Sequence, residues 1–239
     1  MLTDYHCHIL PGMDDGAQDV ETALGIIELM RAQGVERIIA TPHFYSHEER
    51  SLTEYLIRRL YAYDSIAELE ALPEVTLPEI LLGAEVAVEH GISKIHGINR
   101  LAIEDTDMIL LELPFRGLED WMTGEIENIA SEYGLTVVLA HVHRYLEYYS
   151  QESIEKMLNI DAVFQFNNEA FLVPEYRALL DRLAGEKKRI VFGSDAHNLA
   201  GRRPNWDMLK ENCDPELLKA SDSMIGISEK TETPLLSQQ

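Results

Sequence analysis

Cysteine, basic charge and long apolar runs are all scarce in this chain of 239 residues. Its two cysteines, Cys7 and Cys213, are too few for the disulfide framework that staples a small secreted fold. The opening MLTDYHCH holds neither a basic segment nor an apolar signal core. No run approaches the roughly 18 apolar residues that span a bilayer. A cytoplasmic protein without membrane insertion is therefore expected. Lys and Arg number 20 against 42 Asp and Glu, a formal net charge of -22, which repels nucleic acid and anionic surfaces. Glycine-rich nucleotide loops are missing too: neither G-x-x-x-x-G-K-[ST] nor G-x-G-x-x-G occurs.

What is present is a regular alternation. With 46% hydrophobic residues, the chain is long enough for one well-buried core. Apolar, β-rich runs fall at 2–9, 35–41, 80–88, 107–113, 135–141, 161–167 and 189–194, several apolar enough to be buried on both faces, as parallel strands are. Amphipathic helical patterns lie between them. One follows Asp19 as N-cap and stops at Gly34; others cover 52–71, 118–133, 152–158 and 175–183, the last led by Pro174. The stretch 89–102, broken by Gly91 and Gly97, reads as short helix plus loop. This is an α/β pattern that could open as a doubly wound sheet or close as a barrel. Chemistry-bearing residues follow nearly every strand, as at the C-terminal mouth of a barrel, so a distorted (β/α)7 barrel is expected. One domain should cover 1–239, with a loose tail from about residue 221.

Those residues are histidines and carboxylates. His6 and His8 lie two apart in DYHCHIL, and the strand period points both imidazoles to one face while Cys7 points away. A solvent-facing strand would carry the same pair. Asp195 and His197 in GSDAHN repeat the spacing after another apolar run. Asp14, Asp15 and Gly16 read as an acidic turn close to His8, and His43 follows the second strand behind Pro42. Glu85, Glu112 and His141 end or interrupt apolar runs; a buried carboxylate needs a metal, a basic partner or access to water. Mixed imidazole and carboxylate donors suit manganese, iron or zinc better than calcium, and their number implies two or three ions. Such ions lower the pKa of bound water and stabilise displacement at phosphorus. Arg144 in HVHRY and Arg202 or Arg203 in GRRP could hold phosphate oxygens, so hydrolysis of a phosphate ester fits. Thiolate chemistry does not: at the distance where a closing arginine is required, Cys7 meets Met13 and Cys213 meets Lys219.

The ordered motifs H-x-H, DDG, TPH, a buried Glu, LLEL, AHxxR and SDAHN resemble the polymerase and histidinol phosphatase (PHP) superfamily. HxHxLPGxDDG and SDAHN followed by GRRP are similar, more narrowly, to the bacterial manganese-dependent tyrosine phosphatases encoded with capsule or exopolysaccharide systems. The resemblance runs from Leu2 to about Pro204. It implies a PHP-type TIM-like barrel and a trinuclear site with ligands His6, His8, Asp15, His43, Glu85, Glu112, His141, Asp195 and His197. Arg144 and Arg202 would hold phosphate; apart from the resemblance, His43 or His143 could assist the leaving group. The implied substrate is a phosphotyrosine protein, above all a cognate bacterial tyrosine kinase. A small-molecule phosphatase such as histidinol phosphatase is the alternative on the same centre. One departure stands out: Val142 and His143 occupy the positions before the arginine where the family pattern has Glu or Pro-Glu.

Overall fold

The computed structural model describes residues 1–73 and 75–225. Its strands, all paired in parallel, are β1 (Leu2–Cys7), β2 (Val35–Ala40), β3 (His43–Phe44), β4 (Glu79–Leu82), β5 (Glu85–Ala87), β6 (Met108–Glu112), β7 (Thr136–Leu139), β8 (Val163–Asn167) and β9 (Ile190–Gly193). The helices are α1 (Val20–Ala32), α2 (Leu52–Ala67), α3 (Asp120–Tyr133), α4 (Gln151–Leu158), α5 (Pro174–Gly185), α6 (Trp206–Asn212) and α7 (Pro215–Asp222). Asp19 caps α1 by accepting the Thr22 N–H, and Gly34, at φ +88°, takes the left-handed turn that ends it.

Each of the seven apolar runs contains a strand, but one of them divides and a further short strand follows the second run. Pro42 has no N–H to offer a ladder, so β2 stops before it and the chain resumes as β3. At the same level the run at 80–88 breaks around Gly83 and Ala84, into β4 beside β2 and β5 beside β3. One sheet therefore runs β1-β2-β4 and the other β3-β5-β6-β7-β8-β9. The outer strands of the two sheets meet: the Asp195 N–H donates to the His6 carbonyl at 2.7 Å and the His8 N–H to the Ala196 carbonyl at 3.0 Å. This contact stays a single bridge, Cys7 to Ala196, and no closed ladder forms among the described residues.

Side-chain alternation builds two cores. Ile38, Ala40, Ile109, Leu111, Val137, Leu139, Ile190 and Phe192 pack in the larger one, together with apolar residues of the helices. Their strand neighbours Ile39, Leu110, Val138 and Val191 join Tyr5 and Val163 in a smaller one, drawn from six strands. A register irregularity between Asp4 and Cys7 interrupts the alternation in β1, so Tyr5 belongs to the small core and Cys7 to the large one. Buried Asp4 holds the irregularity, accepting N–H groups from His6, Ser194 and the Trp206 indole.

The chain from α6 onward packs more than its polar composition suggests. Tyr5 donates its hydroxyl proton to the Ser221 carbonyl and accepts the Ile225 N–H. Residues 226–239, where the rest of the expected tail falls, lie outside those described.

Candidate metal centre

Ladder register explains why the dispersed ligands converge. His43 lies opposite Glu85 in the β3–β5 pair, and Ala87 opposite Glu112 in the β5–β6 pair, so three ligand positions share one strand end. The β1–β9 contact brings His6 and His8 to Asp195 and His197. Gly193 permits that approach, since a Cβ there would lie 2.7 Å from the His6 Cβ and backbone nitrogen. Asp195 and His141 both take positive φ, at +50° and +32°, which tips each side chain off its strand end at a cost in local strain.

All nine expected ligand residues come together. Donor atoms of His6, His8 and Asp195 lie within 4.8 Å of one another, as do those of His8, Asp15, His43 and His197, and of His43, Glu85 and Glu112. His141 joins through its Nε2, 2.8 Å from Glu85 Oε1 and 3.5 Å from Glu112 Oε1. Asp15 is the most open of the set and Glu85 among the most buried. Arg144 places Nη1 2.8 Å from Asp195 Oδ2, and Arg202 places Nη2 2.8 Å from Asp195 Oδ1, so two guanidinium groups flank one carboxylate.

Neighbours decide which imidazole nitrogen is free to act as a ligand. The His141 backbone N–H is an obligate donor and lies 2.5 Å from the Gln165 side chain, which must therefore present its oxygen. The same oxygen is 3.2 Å from His6 Nδ1, so that nitrogen carries the proton and Nε2 keeps its lone pair. Asp14 does the same for His8, whose Nδ1 lies 2.7 Å from Oδ2, and the Asp195 carbonyl does it for His197 at 2.9 Å. The freed Nε2 atoms of His6 and His8 then face each other at 3.1 Å. Among the described residues, buried His197 Nε2 and Glu85 Oε2 have no partner in hydrogen-bond geometry, although imidazole and carboxylate atoms lie close to both. Left unprotonated, these facing nitrogens and the buried acceptors would repel one another, so a cation, proton or metal, is needed among them. The donor set thus fits divalent metal.

Charge within the cluster is arranged to the same end. Burial alone would raise the carboxyls of Glu85 and Asp195, yet His6 and the other imidazoles, with Arg144 for Asp195, hold both well below the usual range. Burial alone would lower His141, yet Glu112 and Glu85 push it up to about 9. His197 moves the other way, to about 4, through burial and the charge on His8. Protons thus balance part of the buried negative charge where metal would otherwise do so.

Several contributors carry no strong sequence signal. Gln165 and Asn167 are fully buried on β8, in the one apolar run that neither contains nor leads into an expected ligand. Gln165 Nε2 donates to Asn167 Oδ1, and Asn167 Nδ2 to Asp195 and Glu169. Glu169, held at about 2 against burial by His143 and Arg144, lies 3.4 Å from Arg144. The available hint was two polar amides at alternate positions of the apolar run VFQFN, which a buried strand seldom carries without a use. His143 itself is fully buried, stacks on Phe166 at 5.7 Å between ring centres, and is pushed down by burial. That keeps it from a substrate entering the cluster. Cys7 is sealed in the core, where burial raises its thiol well above the ordinary value.

The model of the capsular polysaccharide synthesis family CpsB/CapC matches residues 2–223. This chain belongs to that family. It is similar to the tyrosine-protein phosphatase YwqE of Bacillus subtilis, 29% identical over 84% of this chain and 79% of that one. It is also similar to the tyrosine-protein phosphatase CpsB of Streptococcus agalactiae serotype III, 26% identical over 85% and 86%. Among solved structures, work on the metal-dependent tyrosine phosphatases YwqE from Bacillus subtilis and CpsB from Streptococcus pneumoniae provides a fold match with TM-score 0.75. That match has 23% identity and covers 95% of this chain and 94% of the other. The CpsB/CapC member described here shares their α/β architecture of parallel strands. Among its described residues no helix is long and apolar enough to cross a membrane.

Proposed function

We propose that this CpsB/CapC member is a metal-dependent protein-tyrosine phosphatase of capsule or exopolysaccharide synthesis, acting in the cytoplasm on a cognate bacterial tyrosine kinase. The observation that carries the reading is the junction at Asp195, where imidazole and carboxylate donors meet two arginine forks. The names of the relatives support the substrate, and the family description supports the setting. On this reading His6, His8, Asp15, His43, Glu85, Glu112, His141, Asp195 and His197 hold two or three divalent ions, with manganese preferred to iron or zinc. The nine strands then act as a distorted (β/α)7 barrel, joined at β1 and β9, within a single domain whose site opens at the C-terminal mouth.

Bound divalent ions would supply Lewis acidity and a water of lowered pKa. The chain supplies the rest. Arg144 and Arg202 present planar donor forks that match phosphate oxygens, and Asp195 and Glu169 hold those forks in place beforehand. His43, with its side chain 16% exposed, is the most open imidazole of the cluster, and a ring nitrogen not taken up by metal would be the one to hand a proton to the leaving oxygen. A phenolate leaves with a conjugate-acid pKa of about 10, so that donation matters less than for an alkyl ester.

Phosphate release by manganese-loaded protein from a phosphotyrosyl peptide, beside histidinol phosphate, tests the proposal. The peptide should be the better substrate, and the double variant His141→Ala/Asp195→Ala should lose turnover. Wild-type rates in that variant would refute the mechanism, and a preference for histidinol phosphate would make the chain a small-molecule phosphoesterase.

A further inference from the structure

Two clefts adjoin the ligand cluster, and their chemistry differs. One, of about 290 Å³, is lined by Asp14, Asp15, Glu48 and Glu49 beside His43 and Tyr45. The other, of about 500 Å³, shares Tyr45 and Glu112 with the centre and runs outward past Val88, His90, Pro114, Phe115 and Trp121. His90 and Trp121 stack at 3.7 Å between ring centres, forming a flat aromatic wall. Phe115 forms another, 5.7 Å from the His141 ring and nearly parallel to it, yet 38% exposed. The Phe115 ring also packs against Tyr145 and Tyr148, at 5.2 and 5.0 Å between ring centres.

An aryl phosphate carries its ring one ester oxygen away from the phosphorus, so a site that grips phosphate must leave room for the ring at one flank. The carboxylate-lined cleft would bring an anionic ester against further negative charge, with apolar carbon facing polar groups. The cleft beyond Glu112 offers aromatic faces and apolar carbon, its other carboxylate, Glu89, is paired with His47, and its volume falls within the range of small-ligand sites. We infer that the cleft between Phe115 and the His90–Trp121 stack is the subsite for the leaving-group ring, making Phe115 and Trp121 the residues that select aryl over alkyl phosphates. This rests on the phosphatase reading above and extends it to specificity. The aromatic ring of the substrate lies against Phe115, and the attached peptide leaves over the exposed mouth near Arg116.

Binding of two non-hydrolysable phosphonates to the manganese-loaded full chain, measured by calorimetry, tests the subsite apart from the chemistry. Benzylphosphonate carries the ring and methylphosphonate does not. Wild-type protein should prefer the benzyl compound, and Phe115→Ala and Trp121→Leu should each reduce the benzyl-to-methyl affinity ratio about tenfold. An unchanged ratio in both folded variants would overturn the subsite and leave the phosphatase reading untouched. A ratio lost on Glu48→Ala instead would put the ring in the acidic cleft. If wild-type protein bound neither phosphonate and released no phosphate from the peptide, the phosphatase reading would fall, and the subsite with it.

Discussion

Replacing Gln165 by methionine keeps the volume of a fully buried side chain but removes its polar end. Three groups lose their partner at once: the His141 N–H, His6 Nδ1–H and Asn167 Oδ1. Each unsatisfied buried group costs about 1–3 kcal/mol, and partial relaxation brings the sum to roughly 2–4 kcal/mol. For a chain of this size that lowers Tm by about 4–16 °C. The functional cost is separate. Without Gln165 nothing fixes the proton on His6 Nδ1, and loss of such an outer partner typically weakens metal binding about 10–100-fold. Chelator competition, paired with thermal melts of metal-free protein, reads the two effects independently. Gln165→Glu is the control, because a carboxylate still accepts both bonds and gives up only the donation to Asn167. It should lose stability yet bind metal within a few-fold of wild type. The reasoning is refuted if folded Gln165→Met binds manganese like wild type, or if Gln165→Glu loses as much affinity as Gln165→Met.

Proton and metal should compete at His141. Its folded pKa of about 9 lies above the ordinary imidazole value, so its contribution to metal-free stability is complete below about pH 6.5 and fades as pH rises through 9. Metal must displace that proton, so affinity should tighten by up to about tenfold per pH unit from 6.5 towards 9, measurable by chelator competition. Arg144→Ala should lower kcat/KM about 10²–10³-fold in steady-state assays, and Arg144→Lys should recover little, because a point charge cannot replace the fork between Asp195 and Glu169. Gly193→Ala would thrust a Cβ to 2.7 Å from the His6 backbone nitrogen, parting β9 from β1; a lower Tm and weakened metal binding are both expected.

The parts of this site that could be read from sequence are those whose residue type conflicts with its surroundings. A glutamate inside ILLGAEVAV or a histidine closing TVVLAH is costly unless partnered. H-x-H with D-x-H suggests ligand pairs through the strand period, although His8, Asp195 and His197 lie just past their strands and are paired by the β1–β9 contact instead. Convergence followed from parallel strands presenting their carboxyl ends together, without knowledge of any one contact. The strand count was less accessible, because the bends at Pro42 and Gly83 depend on which partner each half-strand finds, a property of the assembled sheets.

Asp14 shows the remaining limit. In MDDG the two carboxylates are equivalent by type and neighbourhood; the family resemblance singles out Asp15, and the fold gives the physical reason. Asp14 turns inward to His8 Nδ1 and the His43 N–H, and those contacts hold its carboxyl well below the usual range despite burial. Asp15 stays exposed, with an oxygen 3.3 Å from His197 Nε2 and 3.5 Å from His43 Nε2. The buried aspartate therefore fixes a tautomer, while the open one is free to move onto a metal. Gly16 is what allows the split, since a Cβ there would lie 2.3 Å from the His8 carbonyl and 2.9 Å from Asp14 Oδ1. A chain that must send adjacent carboxylates to different tasks needs a residue without a side chain directly after them, and the DDG spacing supplies it.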